Sequence, residues 1–341
     1  MEAIVLPPLE YDRALSQVKK NIKVFERSEF MPKNKKGKFG IRELIHTILN
    51  KYKSKIWKIP ASMPYLVSKF VLETGVEIRC TENSIFFPER EFKKPNEVKN
   101  ITKAMRLAER AMKEIEDILT QSQISNDKKI IYEGKPLTSE FLRRKINLKI
   151  VSEEGTSVGT IVAGGKSSAE PHNEGNGILK AGEPIIVDIF PRLNSSGYWG
   201  DITRTFVKGK APKTVKNAFL AVREARDCAK SMIKVGVKPS DLYKKANAIL
   251  EKHGFKTGKD KDKNKHYGFF HSLGHGVGLE IHEAPGLNSS NDKPLKGGEV
   301  VTVEPGLYYP SWGGVRLEDV VHVKNNSAET LTSYPTNFEI D

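Results

Sequence analysis

The chain has 341 residues, of which 38% are hydrophobic and 29% charged, a composition typical of a folded protein with room for two domains. Its 56 Lys and Arg outnumber 42 Asp and Glu, and its two cysteines lack C-x-x-C spacing, which argues against a disulfide scaffold and a thiolate zinc site. The sequence contains neither the roughly 18 consecutive apolar residues of a membrane span nor a secretory pattern at its start. We therefore expect a cytoplasmic protein with no membrane partner.

The positive charge is concentrated at the beginning of the chain. Residues 1–60 hold 14 Lys and Arg against 6 acidic residues, and the run "PKNKKGK" occupies positions 32–38. Such a patch can bind nucleic acid or acidic surfaces. We interpret it as a solvated lysine-rich face, because no aromatic-interleaved or groove-reading motif accompanies it. Nucleic acid is therefore not an expected partner.

The predicted elements begin with a linker and a long helix. The segment "FFPEREFKKP" is typical of a strand end followed by a linker, so we predict one domain at residues 1–92 and a second at 93–341. Apolar residues then recur at three- and four-residue steps from Val98 to Leu119, which predicts an amphipathic helix over 96–121. Three more helices are predicted, over 138–146, over 213–234, and from Ser240 to a stop at Gly254.

Five β-rich segments alternate with these helices. In chain order they are "GTIVAGG", "PIIVDIF", "GDITRTFVKG", "EVVTVEPGLYY" and "GGVRLEDVVHV". Helix pairs and strand groups thus alternate twice after residue 95, which indicates an α+β domain.

Four of the apolar segments carry a carboxylate where burial is costly. They are Asp188, Asp201, Glu304 and Glu318. An isolated buried carboxylate costs several kcal/mol, so each needs a compensating partner. Any one of them alone could be paired with an arginine or bonded to a turn. All four together are better explained by a pair of divalent metal ions about 3.5 to 4 Å apart, whose charge offsets their mutual repulsion.

Three of the eight histidines fall within "FFHSLGHGVGLEIHEAP", at His271, His275 and His282. The glycines of this segment do not form the G-x-G-x-x-G pattern of a dinucleotide site. The histidines therefore indicate a metal or substrate site that also uses the distant carboxylates. Strand alternation would further place Arg316 on the same face as Glu318, opposite Val315 and Leu317.

The order of four motifs carries a family resemblance. "VDIFPRLNSSGYWGDITRTF", "HSLGHGVGLEIHEAP", "VVTVEPGLYY" and "GVRLEDVV" resemble the motif set of the pita-bread metallopeptidases: aminopeptidase P, prolidase and methionine aminopeptidase, with the metal-free creatinase as a relative. The resemblance covers roughly residues 95–341. It implies an α+β, pita-bread catalytic domain and a smaller, shortened α/β N-terminal domain of the creatinase type. We also expect a homodimer.

The resemblance also implies a set of metal ligands. Two divalent metal ions would be held by Asp188, Asp201, His275, Glu304 and Glu318, with Asp201 and Glu318 bridging the ions. The oxygen-rich ligand set favours manganese, and cobalt and zinc stay open because geometry and availability decide between such metals.

The remaining polar residues resemble those that face the substrate in the proline-specific members. His172 in "AEPHNEG", His271, His282 and Arg316 are expected to bind substrate. Glu304 is expected to shuttle the proton to the leaving nitrogen. His282 and His271 are expected to donate hydrogen bonds to the carbonyl oxygen as it gains charge, and His172 to help hold the substrate.

The implied activity is hydrolysis of an N-terminal Xaa-Pro peptide bond, as by an Xaa-Pro aminopeptidase or dipeptidase, on a peptide with proline in second position. A methionine aminopeptidase would share all five ligands, although the separate N-terminal segment and Arg316 disfavour it. An alternative of another class is a pita-bread binding protein that uses the basic N-terminal surface. Retention of every ligand opposes that alternative, because a pure binding protein has no need of four costly buried carboxylates.

Overall fold

The computed structural model describes residues 2–31, 39–81, 86–260 and 264–341. Two units make up the chain, Met1–Pro88 and Glu89–Asp341. The basic run at 32–38 lies outside the described residues. Within the described part of the chain, no helix combines the length and the apolar character needed to cross a membrane.

The first unit consists of short parallel strand pairs and helices. Its elements are β1 (Glu2–Leu6), α1 (Pro8–Gln17), β2 (Ile22–Glu26), α2 (Ile41–Tyr52), β3 (Ile56–Ile59), α3 (Tyr65–Leu72) and β4 (Glu77–Cys80). Strand β1 pairs with β2 and β3 pairs with β4, both in parallel, so a helix must carry the chain back between the strands of each pair. Ile45, Leu49, Val71 and Val76 form a buried cluster among these helices.

The second unit contains four long helices. They are α4 (Pro95–Gln121), α5 (Ser139–Ser152), α6 (Lys213–Met232) and α7 (Pro239–Lys252). Helix α4 confirms the helix predicted from its apolar periodicity. Helix α5 begins as predicted, with the Thr138 hydroxyl accepting a hydrogen bond from the Phe141 amide at 3.2 Å, but it runs six residues past the predicted end. It continues because Leu142, Ile146 and Ile150 extend one buried stripe at four-residue steps.

The strands of the second unit are mostly short. They are β5 (Gln123–Ile124), β6 (Ile130–Tyr132), β7 (Lys135–Pro136), β8 (Gly155–Thr156), β9 (Ile161–Gly164), β10 (Ile185–Ile189), β11 (Arg192–Leu193), β12 (Ile202–Lys208), β13 (Gly258–Asp260), β14 (Lys265–Tyr267), β15 (Gly274–Gly276), β16 (Glu283–Leu287), β17 (Val300–Val303), β18 (Gly306–Tyr309), β19 (Gly313–Arg316), β20 (Asp319–Val323), β21 (Ala328–Thr330) and β22 (Glu339–Ile340).

Two sheets of this unit carry the predicted β-rich segments. One has the order β22-β12-β10-β9 and the other the order β16-β15-β17-β20-β21. Helices α4 and α5 share a buried core with β10 and β12, and helices α6 and α7 share a second core with β17 and β20. The predicted alternation of helix pairs and strand groups, and with it the α+β class, is confirmed.

Two segments predicted as continuous strands are each divided in two. "EVVTVEPGLYY" forms β17 and β18, and "GGVRLEDVVHV" forms β19 and β20. The first break falls at Glu304 and Pro305, where proline has no amide hydrogen for a ladder bond. The second falls at Leu317 and Glu318. Both breaks therefore coincide with a predicted metal ligand.

Gly200 allows helix α4 to lie directly against the chain that precedes β12. A Cβ added at Gly200 would lie 2.6 Å from the carbonyl carbon of Ala104 and 2.7 Å from the amide nitrogen of Met105. Both atoms belong to the backbone of α4, which cannot move aside as a flexible side chain can. This close approach fixes the chain at the next residue, Asp201, whose amide lies 3.2 Å from the Met105 sulphur.

The substitution Gly200→Ala is expected to lower the free energy of unfolding by roughly 1 to 3 kcal/mol, since the added methyl group overpacks the helix contact. Gly297→Ala is the control, because a Cβ there meets nothing closer than 3.5 Å. Urea unfolding of both variants checks this. Equal stabilities of the two variants would show that α4 can shift to accept the methyl group.

Glu299 is a buried carboxyl directly before β17. Its side chain accepts a hydrogen bond from the Lys296 amide at 2.8 Å, and the residue is 4% exposed. Burial raises the pKa of Glu299 from its ordinary value of 4.5 to about 7. A carboxyl with a raised pKa holds its proton more tightly in the folded protein. Its stabilising effect is therefore present in acid and is lost as the pH rises from 4.5 through about 7.

The substitution Glu299→Gln should therefore remove a pH-dependent loss of stability. We expect the variant to gain roughly 1 to 3 kcal/mol in unfolding free energy over the wild type between pH 5 and pH 8. Denaturant titrations in chelator at both pH values measure this difference. Glu251→Gln, at an exposed position of α7, should follow the wild type at both values. If the difference in unfolding free energy between Glu299→Gln and the wild type were the same at pH 5 and pH 8, titration of Glu299 would not be its cause.

Candidate metal centre

Neighbouring strands bring two of the predicted aspartates to one end of a sheet. Asp188 lies within β10, opposite Thr203 of the antiparallel strand β12, and Asp201 directly precedes β12. Both aspartates are buried, at 8% and 4% exposure. The loop between β10 and β12 reverses the direction of the chain, so both carboxylates lie at the same end of the sheet.

The second sheet supplies the other predicted ligands. His275 is the middle residue of β15, Glu304 directly follows β17, and Glu318 directly precedes β20. Strand β15 can approach its neighbour closely because it begins with Gly274, where a Cβ would lie 2.0 Å from the Thr302 carbonyl oxygen.

A cavity of about 1020 Å³ is lined by all nine residues that were predicted from the sequence to form the site. It lies within the second unit, and its walls include Asp188, Asp201, His275, Glu304 and Glu318 together with His172, His271, His282 and Arg316. Its walls also include the apolar side chains of Ile161, Phe190, Phe270 and Ile281. The cavity therefore combines a polar cluster with apolar surface, as ligand sites commonly do.

Three of the five predicted ligands form a tight group. One ligand atom each of Asp201, His275 and Glu318 lies within 4.8 Å of the other two. Glu304 adjoins this group, with Oε1 3.4 Å from His275 Nε2. Asp188 Oδ2 instead accepts a hydrogen bond from Arg316 Nη2 at 2.7 Å, while Asp188 Oδ1 is buried and has no hydrogen-bond partner among the residues that the structure describes.

The carboxylates of this cluster oppose one another's ionisation. Burial, followed by repulsion from neighbouring carboxylates, raises the pKa of Asp201 and of Glu304 well above its ordinary value. The same causes raise the pKa of Glu318 to about 8. Four carboxylates and one imidazole, with one buried oxygen unpartnered, form a donor set that fits divalent cations.

The His275 ring is oriented for metal binding. Its Nδ1 lies 3.1 Å from the Gly276 carbonyl oxygen, which can only accept, so Nδ1 carries the proton and Nε2 keeps a free lone pair. Burial lowers the pKa of His275 to about 4, which keeps the ring neutral. The His275 amide also donates to the Thr302 hydroxyl at 3.0 Å.

Arg316 supplies positive charge on the cavity wall. Besides the bond to Asp188, its Nη1 donates to the Tyr308 hydroxyl at 2.9 Å, and its Nε donates to the Thr203 hydroxyl at 3.2 Å. Glu318 lies on the same side and Val315 and Leu317 lie in the core, so the predicted alternation of side chains holds across the break in the strand. Arg316 thus connects Asp188 with Tyr308 and Thr203 through hydrogen bonds.

The three histidines that were predicted to face the substrate differ in how firmly hydrogen bonds hold their rings. His271 Nδ1 lies 2.7 Å from the Ser272 carbonyl oxygen and therefore donates, and Nε2 accepts from the Tyr308 hydroxyl at 3.0 Å. Burial lowers the pKa of His271 to about 3, so this ring is neutral. His282 is more open to the cavity and lies edge-on to His275, with 4.4 Å between ring centroids. His172 is exposed at the cavity wall.

Three residues of the site were not recognised in the sequence. The Thr203 hydroxyl donates to Glu318 Oε2 at 2.8 Å, Thr302 holds the His275 backbone, and Tyr308 links Arg316 to His271. Thr203 could have been found, because a period of two from Asp201 puts both side chains on one face of the strand. Tyr308 and Thr302 gave no such signal, since a tyrosine or threonine in an apolar strand is ordinary.

Comparisons with known proteins agree with this geometry. Residues 99–325 match metallopeptidase family M24. A putative dipeptidase of Bacillus subtilis is 39% identical over 57% of this chain and 50% of its own length. An Xaa-Pro dipeptidase of Pyrococcus furiosus is 30% identical over 96% of this chain and 84% of its own length.

The solved structures agree as well. The prolidase from Pyrococcus furiosus superimposes with a TM-score of 0.78 at 27% identity, over 98% of this chain and 87% of that one. An Xaa-Pro dipeptidase from Bacillus anthracis gives a TM-score of 0.81 at 24% identity, over 99% and 86%, which shows a shared fold. These likenesses confirm the expected pita-bread fold, and the family match implies divalent metal ions. The chain belongs to metallopeptidase family M24.

Proposed function

We propose that this protein is a metal-dependent exopeptidase that hydrolyses the bond between the first residue of a peptide and a proline in second position. The observation that carries the proposal is the convergence of nine residues on one cavity, with ligand atoms of Asp201, His275 and Glu318 within 4.8 Å of one another. The Xaa-Pro dipeptidase of Pyrococcus furiosus, which matches over most of both chains, supports the same specificity.

Two divalent ions, with manganese expected, would be held by Asp188, Asp201, His275, Glu304 and Glu318. The family resemblance implies that Asp201 and Glu318 would be shared by both ions, and both residues lie in the tight group of ligand atoms with His275. Divalent ions supply Lewis-acid polarisation of the scissile carbonyl and make water a stronger acid near neutral pH.

Glu304 is the residue we assign to proton transfer. Its Oε1 lies on the cavity wall, 3.4 Å from His275 Nε2 and 3.5 Å from the Thr302 hydroxyl. A carboxylate at that position can take a proton from the attacking water and return it to the leaving nitrogen. The proline nitrogen needs that proton because its bond to carbon is broken.

The histidines divide the remaining tasks. His282 faces the cavity and is placed to donate a hydrogen bond to the carbonyl oxygen as negative charge develops there. His172, also exposed to the cavity, would help hold the peptide. His271 lines the same cavity, but both ring nitrogens are already bonded, so a contact with substrate requires it to release Ser272 or Tyr308.

Proline in second position suits the apolar part of the cavity. A proline nitrogen has no hydrogen. An enzyme that aligns its substrates through the N–H of the second residue therefore loses that contact when the second residue is proline. Ile161, Phe190 and Phe270 offer apolar surface on which a pyrrolidine ring can be buried. The homodimer and the N-terminal domain at residues 1–92 stay predictions that accompany this proposal.

The proposal predicts that Glu304→Gln lowers kcat on an Xaa-Pro peptide by about 10² to 10⁴-fold, because the amide cannot carry the proton. The measurement uses the dipeptide Ala-Pro and the tripeptide Ala-Pro-Ala, with metal-depleted protein reloaded with Mn²⁺. Glu174→Gln is the matched control, since Glu174 also lines the cavity and has no assigned role. Undiminished turnover by a folded Glu304→Gln variant would disprove the assignment.

The same assay separates the alternatives. A methionine aminopeptidase would cleave Met-Ala-Ser faster than Ala-Pro-Ala. A binding protein would cleave neither peptide after metal loading, whereas the proposal requires cleavage of Ala-Pro, as by a dipeptidase, or of Ala-Pro-Ala, as by an aminopeptidase, that chelator abolishes and Mn²⁺ restores.

His282→Ala should lower kcat by about 10² to 10³-fold with little change in KM, because the lost hydrogen bond forms mainly in the transition state. His253→Ala is the control, since His253 lies at the end of α7 and pairs with Glu224 at 2.8 Å. Steady-state kinetics on whichever of Ala-Pro and Ala-Pro-Ala the wild type cleaves give both parameters. A rise in KM at constant kcat would instead assign His282 to substrate binding alone.

A further inference from the structure

Arg204 is a buried arginine outside the cavity that uses its whole hydrogen-bonding capacity. It lies in β12 and is 1% exposed. Nε donates to the Pro335 carbonyl at 2.9 Å, Nη1 donates to the carbonyls of Thr203 at 2.9 Å and Glu318 at 2.6 Å, and Nη2 donates to the Tyr334 carbonyl at 2.8 Å and Asp319 Oδ1 at 2.9 Å. A guanidinium has five N–H groups, so each has a partner.

These five partners belong to two parts of the chain. Thr203, Glu318 and Asp319 belong to the strands that carry the metal site, whereas Tyr334 and Pro335 belong to the segment 331–338. That segment is itself anchored to two helices. Ser333 donates from its amide to Glu109 of α4 at 2.6 Å, and Phe338 stacks on Phe219 of α6 with 4.0 Å between centroids. Arg204 therefore ties the metal-site strands to a firmly held part of the second unit.

Glu318 makes three hydrogen bonds with two consecutive residues, Thr203 and Arg204. Its amide donates to the Thr203 carbonyl at 3.1 Å, its carboxylate accepts from the Thr203 hydroxyl at 2.8 Å, and its carbonyl accepts from Arg204. Glu318 lies in the break between β19, which pairs with β18, and β20, which pairs with β17, so regular strand pairing does not fix its backbone. The hydrogen bond from Arg204 replaces that constraint.

We propose that Arg204 is a positioning residue of the metal centre, which fixes the backbone at Glu318 and couples the segment 331–338 to metal binding. The inference rests on the proposed role of Glu318 as a ligand. A charge pair alone does not account for the arrangement, because four of the five bonds go to main-chain carbonyls. Only a planar fork reaches all of them at once, and an ammonium group has three donors at a single point.

Arg226 provides a matched control. It is also buried, at 5% exposure, and it approaches the same Asp319 carboxylate at 3.4 Å. It also bonds to the segment 331–338, through the Thr336 hydroxyl at 3.2 Å. Within the described residues it makes no hydrogen bond to Glu318. Arg226→Lys therefore disturbs the same charge cluster and the same segment without touching the ligand.

The test is a Co²⁺ titration of metal-depleted wild type, Arg204→Lys and Arg226→Lys, followed by visible absorption. We expect Arg204→Lys to bind Co²⁺ about 10 to 100-fold more weakly and to change the absorption bands, which report ligand geometry. Arg226→Lys should stay within about threefold of the wild type with unchanged bands. Wild-type affinity and bands in Arg204→Lys, or equal losses in both variants, would overturn the inference. A wild type that binds no Co²⁺ would instead overturn the proposed metal site.

Amide hydrogen exchange keeps the inference testable even where Arg204→Lys does not fold. Co²⁺ should slow exchange in the segment 331–338 of the wild type by about tenfold or more, since opening of that segment would release Glu318. The first unit serves as the internal reference. Unchanged exchange in 331–338 on metal binding would contradict the coupling.

Discussion

Mutual repulsion among buried carboxylates is the constraint on which this structure depends. Asp188, Asp201, Glu304 and Glu318 line one cavity, and burial together with repulsion from neighbouring carboxylates raises the pKa of Asp201, Glu304 and Glu318. Arg316 offsets part of that charge through Asp188, but one Asp188 oxygen remains buried without a partner. Keeping all four carboxylates ionised in one place requires further positive charge, and divalent cations supply it compactly. The rest of the second unit can be understood as the support for this costly arrangement.

Residues behind the carboxylates determine where those carboxylates point. Thr203 bonds to Glu318, Thr302 holds the backbone of His275, and Tyr308 connects Arg316 with His271. Thr302 lies on β17, next to the strand β15 that carries His275, and Tyr308 lies on β18, next to the strand β19 that carries Arg316, whereas Thr203 reaches Glu318 from β12 of the other sheet. The predicted ligands are therefore preorganised by residues of several strands, so little rearrangement is needed when charge changes during a reaction.

Glycines let the supporting elements come close enough to do this. Gly200 allows α4 to touch the chain at Asp201, and Gly274 allows β15 to lie against the backbone of β17. A side chain at either position would push a segment that carries a predicted ligand away from the element packed against it. The same residues that permit tight packing therefore also set the distances within the site.

The sequence by itself determined the class of fold, the four long helices and the residues that converge on the cavity. Apolar periodicity is local, so it located α4 closely, and a carboxylate in an apolar strand is visible without any structure. Only the tertiary structure decided the pairings. The bonds from Thr203 and Arg204 to Glu318 join positions more than 100 residues apart and hold Glu318 in the break between β19 and β20. The local pattern of apolar residues indicates which face of a strand is buried, whereas the partner of a buried group depends on how distant strands are brought together.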